Sequence, residues 1–183
     1  MVCVRQQNAL ILLVVLVLTT SGAAVAQDST ARLQSAHAGS SLAEVRDKHR
    51  ALLVVFRSRV VDASGGERAI IDDVLKADPR PKGRFRWVHT TIARKLDKYM
   101  QKYRSLVPAQ GLADADYVIY FNVVEFRRIL DTIYPYGELF VIVKGSPEEL
   151  KPPRVVWRAN KVLFAEDAIG NLIKELKAVR GEG

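Results

Sequence analysis

Cysteine is almost missing from this chain: Cys3 is the only thiol in 183 residues. An internal disulfide is thereby excluded, and so is a zinc site built on paired thiolates. Histidine is scarce as well. His37, His49 and His89 include no two residues four apart, the spacing that sets two imidazoles on one helical face around a metal. No metal and no cofactor is expected. The glycine patterns that cradle phosphates in P-loops and dinucleotide folds are absent, as is the Gly-x-Ser-x-Gly turn of serine hydrolases. Long apolar runs are confined to residues 9–18 (ALILLVVLVL). That run is too short for a hydrocarbon core of roughly 30 Å.

The run belongs to a three-part start. Arg5 precedes it, and Ala24-Val25-Ala26 follows as a small-x-small site before Gln27. This is the layout of a secretory signal peptide, with cleavage expected after Ala26. An uncleaved anchor is the competing reading. Export places the working protein in the periplasm or outside the cell. Cleavage also removes Cys3, so the mature chain is expected to be free of cysteine. Cys3 lies ahead of the apolar run, where it cannot become the lipid-modified first residue of a lipoprotein.

Charge is of one sign in excess, +8 formally, of which Arg5 carries one unit. The excess is local. From Arg80 to Arg104 the chain carries Arg80, Lys82, Arg84, Arg86, Arg94, Lys95, Lys98, Lys102 and Arg104 against the single acid Asp97. In an exported protein such a patch meets an envelope protein, an anionic lipid or an anionic glycan, with peripheral membrane contact allowed and no nucleic acid expected. A solvated helix face is the plainer account of the same residues.

Periodicity predicts the elements. Residues 27–50 read as a flexible polar lead with at most a helical turn at 42–50, and residues 51–181 as one domain. Residues 51–61 form a strand, with Leu52, Val54, Phe56 and Val60 on one face. Residues 67–76 form a helix with Ile70, Ile71, Val74 and Leu75 inward, stopped by Pro79, Pro81 and Gly83. Thr90 or Thr91 caps a longer helix to about Leu106, its stripe being Ile92, Leu96, Tyr99, Tyr103 and Leu106. Residues 117–129 form the central strand. Tyr134-Pro135-Tyr136-Gly137 has the composition of a turn. Strands at 139–144 and 154–164 complete an antiparallel meander. Residues 166–180 form the closing helix, with Ala168, Ile169, Leu172, Ile173, Leu176 and Val179 inward and Gly181 as its stop. The fold class is α/β (α+β): a mixed sheet with a C-terminal three-stranded meander and helices packed on it.

Ala113-Asp114-Ala115-Asp116-Tyr117-Val118-Ile119, Arg154-Val155-Val156-Trp157 and the helix from Ala168 to Leu176 give the order of elements a likeness in topology. It resembles bacterial envelope domains of the curli-secretion and Tol–Pal amino-terminal type. The resemblance implies a non-enzymatic part in envelope assembly or secretion. The chain departs from that pattern in lacking a lipid-anchor cysteine, a clear membrane-inserting hairpin and a clear strand between Leu106 and Asp116.

Three groups of residues are candidates for chemistry or contact. Ser64-Gly65-Gly66, between a strand and a helix, offers backbone N–H groups to an anion, with Arg57 or Arg59 nearby; a plain turn is the alternative. Glu125, Asp131 and Glu138 supply paired carboxylates for an extracytoplasmic hydrolase. A cross-strand pairing of Glu125 with Arg127 or Arg158 accounts for the first of them equally. Tyr134 and Tyr136 on their turn, together with Arg84, Arg86, Arg94, Lys95, Lys98 and Lys102, are the candidate contact residues of a binding module. Phe85 and Trp87 interleave with the arginines, either as buried plugs or as interface contacts.

Overall fold

The computed structural model describes residues 41–58, 66–145 and 151–183. The expected signal peptide, the lead as far as residue 40, Arg59, Ser64 and Gly65 lie outside them. A 3₁₀ turn at Leu42–Val45 leads to β1 (Arg50–Phe56), α1 (Glu67–Lys76), α2 (Arg84–Tyr103), β2 (Val107–Pro108), β3 (Tyr117–Ile129), β4 (Thr132–Val143), β5 (Arg154–Val162) and α3 (Ala165–Arg180). The five strands form one mixed sheet in the order β2-β1-β3-β4-β5. β1 runs parallel to β2 and β3, whereas β3, β4 and β5 are antiparallel.

The sheet is buried on both faces, so its middle strands are apolar without alternation. Tyr117 to Val123 of β3 and Leu139 to Ile142 of β4 are wholly buried. On one face Ala51, Val55, Ile119, Phe121 and Val141 pack against Val88, Ile92 and Leu96 of α2 and Ile169, Leu172 and Leu176 of α3. On the other, Leu52, Val54, Val118, Tyr120, Phe140 and Ile142 pack against Ile70, Ile71 and Val74 of α1. Each fully buried leucine or isoleucine contributes roughly 1.5–3 kcal/mol. The connection from α1 to α2 therefore crosses the sheet from one face to the other.

Several boundaries differ from those the sequence predicts. Leu42 and Val45 belong to the core, so the domain begins before residue 51. β1 stops at Phe56, and Ser58 leaves the ladder to hydrogen-bond side chains. α2 begins at Arg84, not at a Thr90 or Thr91 cap. Val88 is fully buried and extends the apolar stripe by one turn, while the Thr90 hydroxyl donates back to the Arg86 carbonyl at 2.9 Å. The helix ends at Tyr103, where Arg104 turns into the left-handed region at φ 55°. Leu106 lies past that end and is buried all the same. A two-residue strand, β2, occupies the stretch from Leu106 to Asp116 that shows no strand signal.

The largest correction concerns Tyr134-Pro135-Tyr136-Gly137. These residues are not a turn but the first half of β4, and the chain reverses at Leu130-Asp131. β5 pairs β4 only from Gly137 onward, leaving β4 an open edge beyond it. A proline is tolerated on such an edge. Gly137 serves close approach: a Cβ there would lie 2.0 Å from the Asn122 carbonyl oxygen.

Candidate functional site

α2 turns one face inward through Val88, Ile92, Leu96 and Tyr99, so the residues between them point to solvent. Arg84, Arg86, Arg94, Lys98 and Lys102 are exposed, and Trp87 is 51% exposed. At helical spacing, Trp87, Arg94, Lys98 and Lys102 form one ridge. Asp97 is the single acid on the helix. Lys95 departs from this set. It is half-buried and donates to the Glu166 carbonyl oxygen at 2.8 Å, tying α2 to the first turn of α3. Lys102 and Lys177 place their ammonium groups 5.0 and 4.7 Å from the Tyr103 ring centre, which widens the positive surface from α2 onto α3. Hydrogen bonding to Lys102, then to Lys177, lowers the pKa of the Tyr103 hydroxyl.

Tyr134 and Tyr136 are half-buried on β4. The Arg127 guanidinium lies 3.6 Å from the Tyr136 ring centre, and Tyr134 meets Phe164 edge-on at 5.0 Å. Both rings are thus engaged within the protein.

The three carboxylates are not gathered into one cleft. Glu125 pairs with Arg127, two residues along the same strand. Glu138 is buried, 7% exposed, and accepts from Arg158 at 2.8 Å. Asp131 stands exposed in the turn. Asn122, opposite Glu138 in register, accepts the backbone N–H of Ser58 at 3.0 Å. The Ser58 hydroxyl donates to Asp73 at 2.6 Å.

Two cavities flank the crossover between α1 and α2. One, of about 340 Å³, is lined by Leu53, Pro79, His89, Asp97 and Met100 among others. Burial there lowers the pKa of His89. The other, of about 410 Å³, lies beside Phe56, Arg57, Asp73, Lys76 and Arg80. Neither is lined by Glu125, Asp131 or Glu138. Of the Ser64-Gly65-Gly66 motif only Gly66 is described; it precedes α1 at φ 86°. Among the described residues, no group of three or more His, Cys, Asp or Glu side chains is placed to hold a metal, and no helix is long and apolar enough to cross a membrane.

Sequence reasoning predicted the antiparallel pairing of β3 and β4 but placed the turn at 134–137, so it missed the apolar hairpin tip. Ile129, Leu130 and Ile133 at that tip are exposed, Leu130 to 91%. The available signal was Arg127-Arg128-Ile129-Leu130, two cations followed by two apolar residues with no glycine or proline to announce a turn. No family model, curated protein or solved structure matches the chain.

Proposed function

We propose that this protein is an exported, non-enzymatic binding module of the bacterial cell envelope, meeting an envelope protein or an anionic envelope component through the outward ridge of α2. The observation that carries the reading is the run of exposed Arg94, Lys98 and Lys102 beside Trp87, with Asp97 the only acid on the helix. A cationic ridge with a large aromatic at one end suits an acidic partner surface more than a small-molecule substrate. The three-part start of the sequence supports export. The resemblance to curli-secretion and Tol–Pal amino-terminal domains supports an assembly role.

The test is association of the exported chain with isolated envelope at low and high salt. Arg94→Glu combined with Lys98→Glu should weaken association by roughly tenfold or more, since each basic side chain near an anionic surface contributes about 1 kcal/mol. A partner that stays bound at high salt would be a protein with a buried interface. Binding lost at high salt would point to lipid or glycan. Association unchanged by both reversals would remove this ridge as the contact.

A further inference from the structure

The fold leaves six large apolar side chains exposed among the described residues, and four of them lie on or beside the β3–β4 hairpin. Ile129, Leu130 and Ile133 are at its tip. Phe164 packs on Tyr134 of β4. Trp87 stands in the first turn of α2, whose Phe85 ring lies 6.0 Å from the Phe126 ring of β3 and whose Arg84 stacks over that same ring. β1 pairs β3 only as far as Asn122, and β5 pairs β4 only from Gly137. Among the described residues, 124–136 thus pair only with each other as a two-stranded ribbon, with Phe126 holding its base to the core.

Leu130 at the tip is both exposed and conformationally unfavourable. Its φ of 54° lies in the left-handed region, where glycine or asparagine sits at little cost and leucine does not. In that position the side chain buries nothing within the fold, so neither packing nor backbone geometry explains a leucine there. Arg128 flanks the tip, and Arg84 and Arg86 stand in the helix turn packed on the ribbon's base, all three exposed and without an acidic partner among the described residues, while Asp131 is the acid of the turn itself.

We infer that the hairpin tip anchors the protein to the surface of an anionic phospholipid bilayer, with Leu130, Ile129 and Ile133 entering the acyl boundary and the arginines at phosphate level. The inference rests on the envelope reading for where lipid is met. Charge complementarity and shape select this occupant. The apolar groups are exposed points, and on the hairpin and the helix turn packed on its base the unpaired cations Arg84, Arg86 and Arg128 outnumber the turn's Asp131, so a fluid anionic surface receives them without a matching pocket. The tip carries too few apolar residues to span a bilayer, so the contact is interfacial. Trp87 stands exposed in the helix turn packed on the hairpin's base, and an indole at a bilayer interface keeps one side wet.

The experiment is co-sedimentation with phosphatidylethanolamine vesicles containing phosphatidylglycerol, against phosphatidylcholine vesicles, while tryptophan emission is followed. The chain from Gln27 onward is used, because both cores are built from residues 42–179. Trp157 is buried, so a blue shift reports Trp87. Binding to the anionic vesicles with a blue shift is expected. Leu130→Asn should reduce partitioning by roughly tenfold, the worth of withdrawing one large apolar side chain. Asparagine suits the backbone at 130, so a thermal midpoint no lower than the parent's separates lost anchoring from lost folding.

Three results would overturn the inference: no binding to anionic vesicles, binding that Leu130→Asn leaves intact, or self-association that Leu130→Asn abolishes in the absence of vesicle binding. In the last case a second copy covers the tip. Vesicle binding that resists Leu130→Asn but falls with Arg94→Glu and Lys98→Glu would sink the hairpin and leave the α2 ridge standing. The opposite pattern would keep the hairpin and dismiss the ridge.

Discussion

The Arg180 guanidinium donates to the Lys48 carbonyl oxygen at 2.6 Å, joining the last turn of α3 to the segment that precedes β1. The same group donates to the Val45 carbonyl at 3.2 Å, the Ser105 carbonyl at 3.1 Å and the Tyr99 hydroxyl at 3.3 Å. It thus ties three segments together; the Val45 carbonyl also accepts the Lys48 N–H at 3.2 Å and the Ser105 carbonyl lies 3.0 Å from His49 Nδ1, which leaves the Lys48 carbonyl as the acceptor most dependent on it. Arg46 adds a return contact, donating to the Val179 carbonyl at 2.8 Å.

Arg180→Ala is therefore expected to destabilise the fold by about 1–3 kcal/mol, since it removes several hydrogen bonds made by one charged group and takes the donor from the Lys48 carbonyl. Arg180→Lys should recover only part of the loss. A single ammonium cannot reach three segments as a planar guanidinium does. Urea denaturation of the two variants checks this. A loss in Arg180→Ala under about 0.5 kcal/mol, the range of ordinary surface substitutions, would mean water replaces the clasp.

Glu138 and Arg158 make the second prediction. Glu138 is buried between β4 and β5 while Arg158 is partly exposed, and Glu138 Oε2 and Arg158 Nε find no hydrogen-bond partner. A pair held with unmet atoms stabilises little on balance, yet removing one member leaves the other charge buried alone. Arg158→Met should cost about 3 kcal/mol. Combining it with Glu138→Leu should return stability to within about 1 kcal/mol of the parent. A double-mutant cycle in denaturant measures the coupling, and strict additivity would show the two charges act independently.

These contacts explain which parts of the fold were legible in the sequence. β3 and α3 carry their whole signal locally: an unbroken apolar run from Tyr117 to Val123, and a stripe from Ala168 to Val179 closed by Gly181. Their predicted and observed limits agree to within a residue. The hairpin was misplaced because Pro135 and Gly137 have the composition of a turn. Their real reasons are an open strand edge and the close approach of the Asn122 backbone, both of which need the partner strands to be seen. The turn itself uses Leu130, which no turn rule favours. The start of α2 was hidden for a related reason. Arg84-Phe85-Arg86-Trp87 alternates as an extended segment would, and only the burial of Val88 shows that it continues the helix. The basic ridge was readable because nine cations against one acid need no tertiary information. The tie from Lys95 to Glu166 was not, because its partner lies 71 residues away.

Tyr117 gives the stability a pH dependence on the alkaline side. Its ring is fully buried, and burial pushes the hydroxyl up to about 12, with Arg180 the next and opposing influence. In the unfolded chain the group titrates near 10. Below about pH 10 the hydroxyl is protonated in both states and contributes no slope. Between about 10 and 12 the unfolded chain gives up a proton that the folded one keeps, so stability falls as pH rises, by about 1.4 kcal/mol per unit from this group, and levels off once the folded state titrates. Tyr120 is displaced in the same direction by its own burial, with Asp73 adding to the effect, so its contribution steepens the same limb. Tyr117→Phe removes one of the two. The stability gap between parent and variant should stay constant to about pH 9 and then shift in the variant's favour by about 1 kcal/mol near pH 11, read from urea midpoints at matched ionic strength. A gap that stays flat through pH 11 would mean the Tyr117 hydroxyl ionises in the folded protein as freely as it does in water.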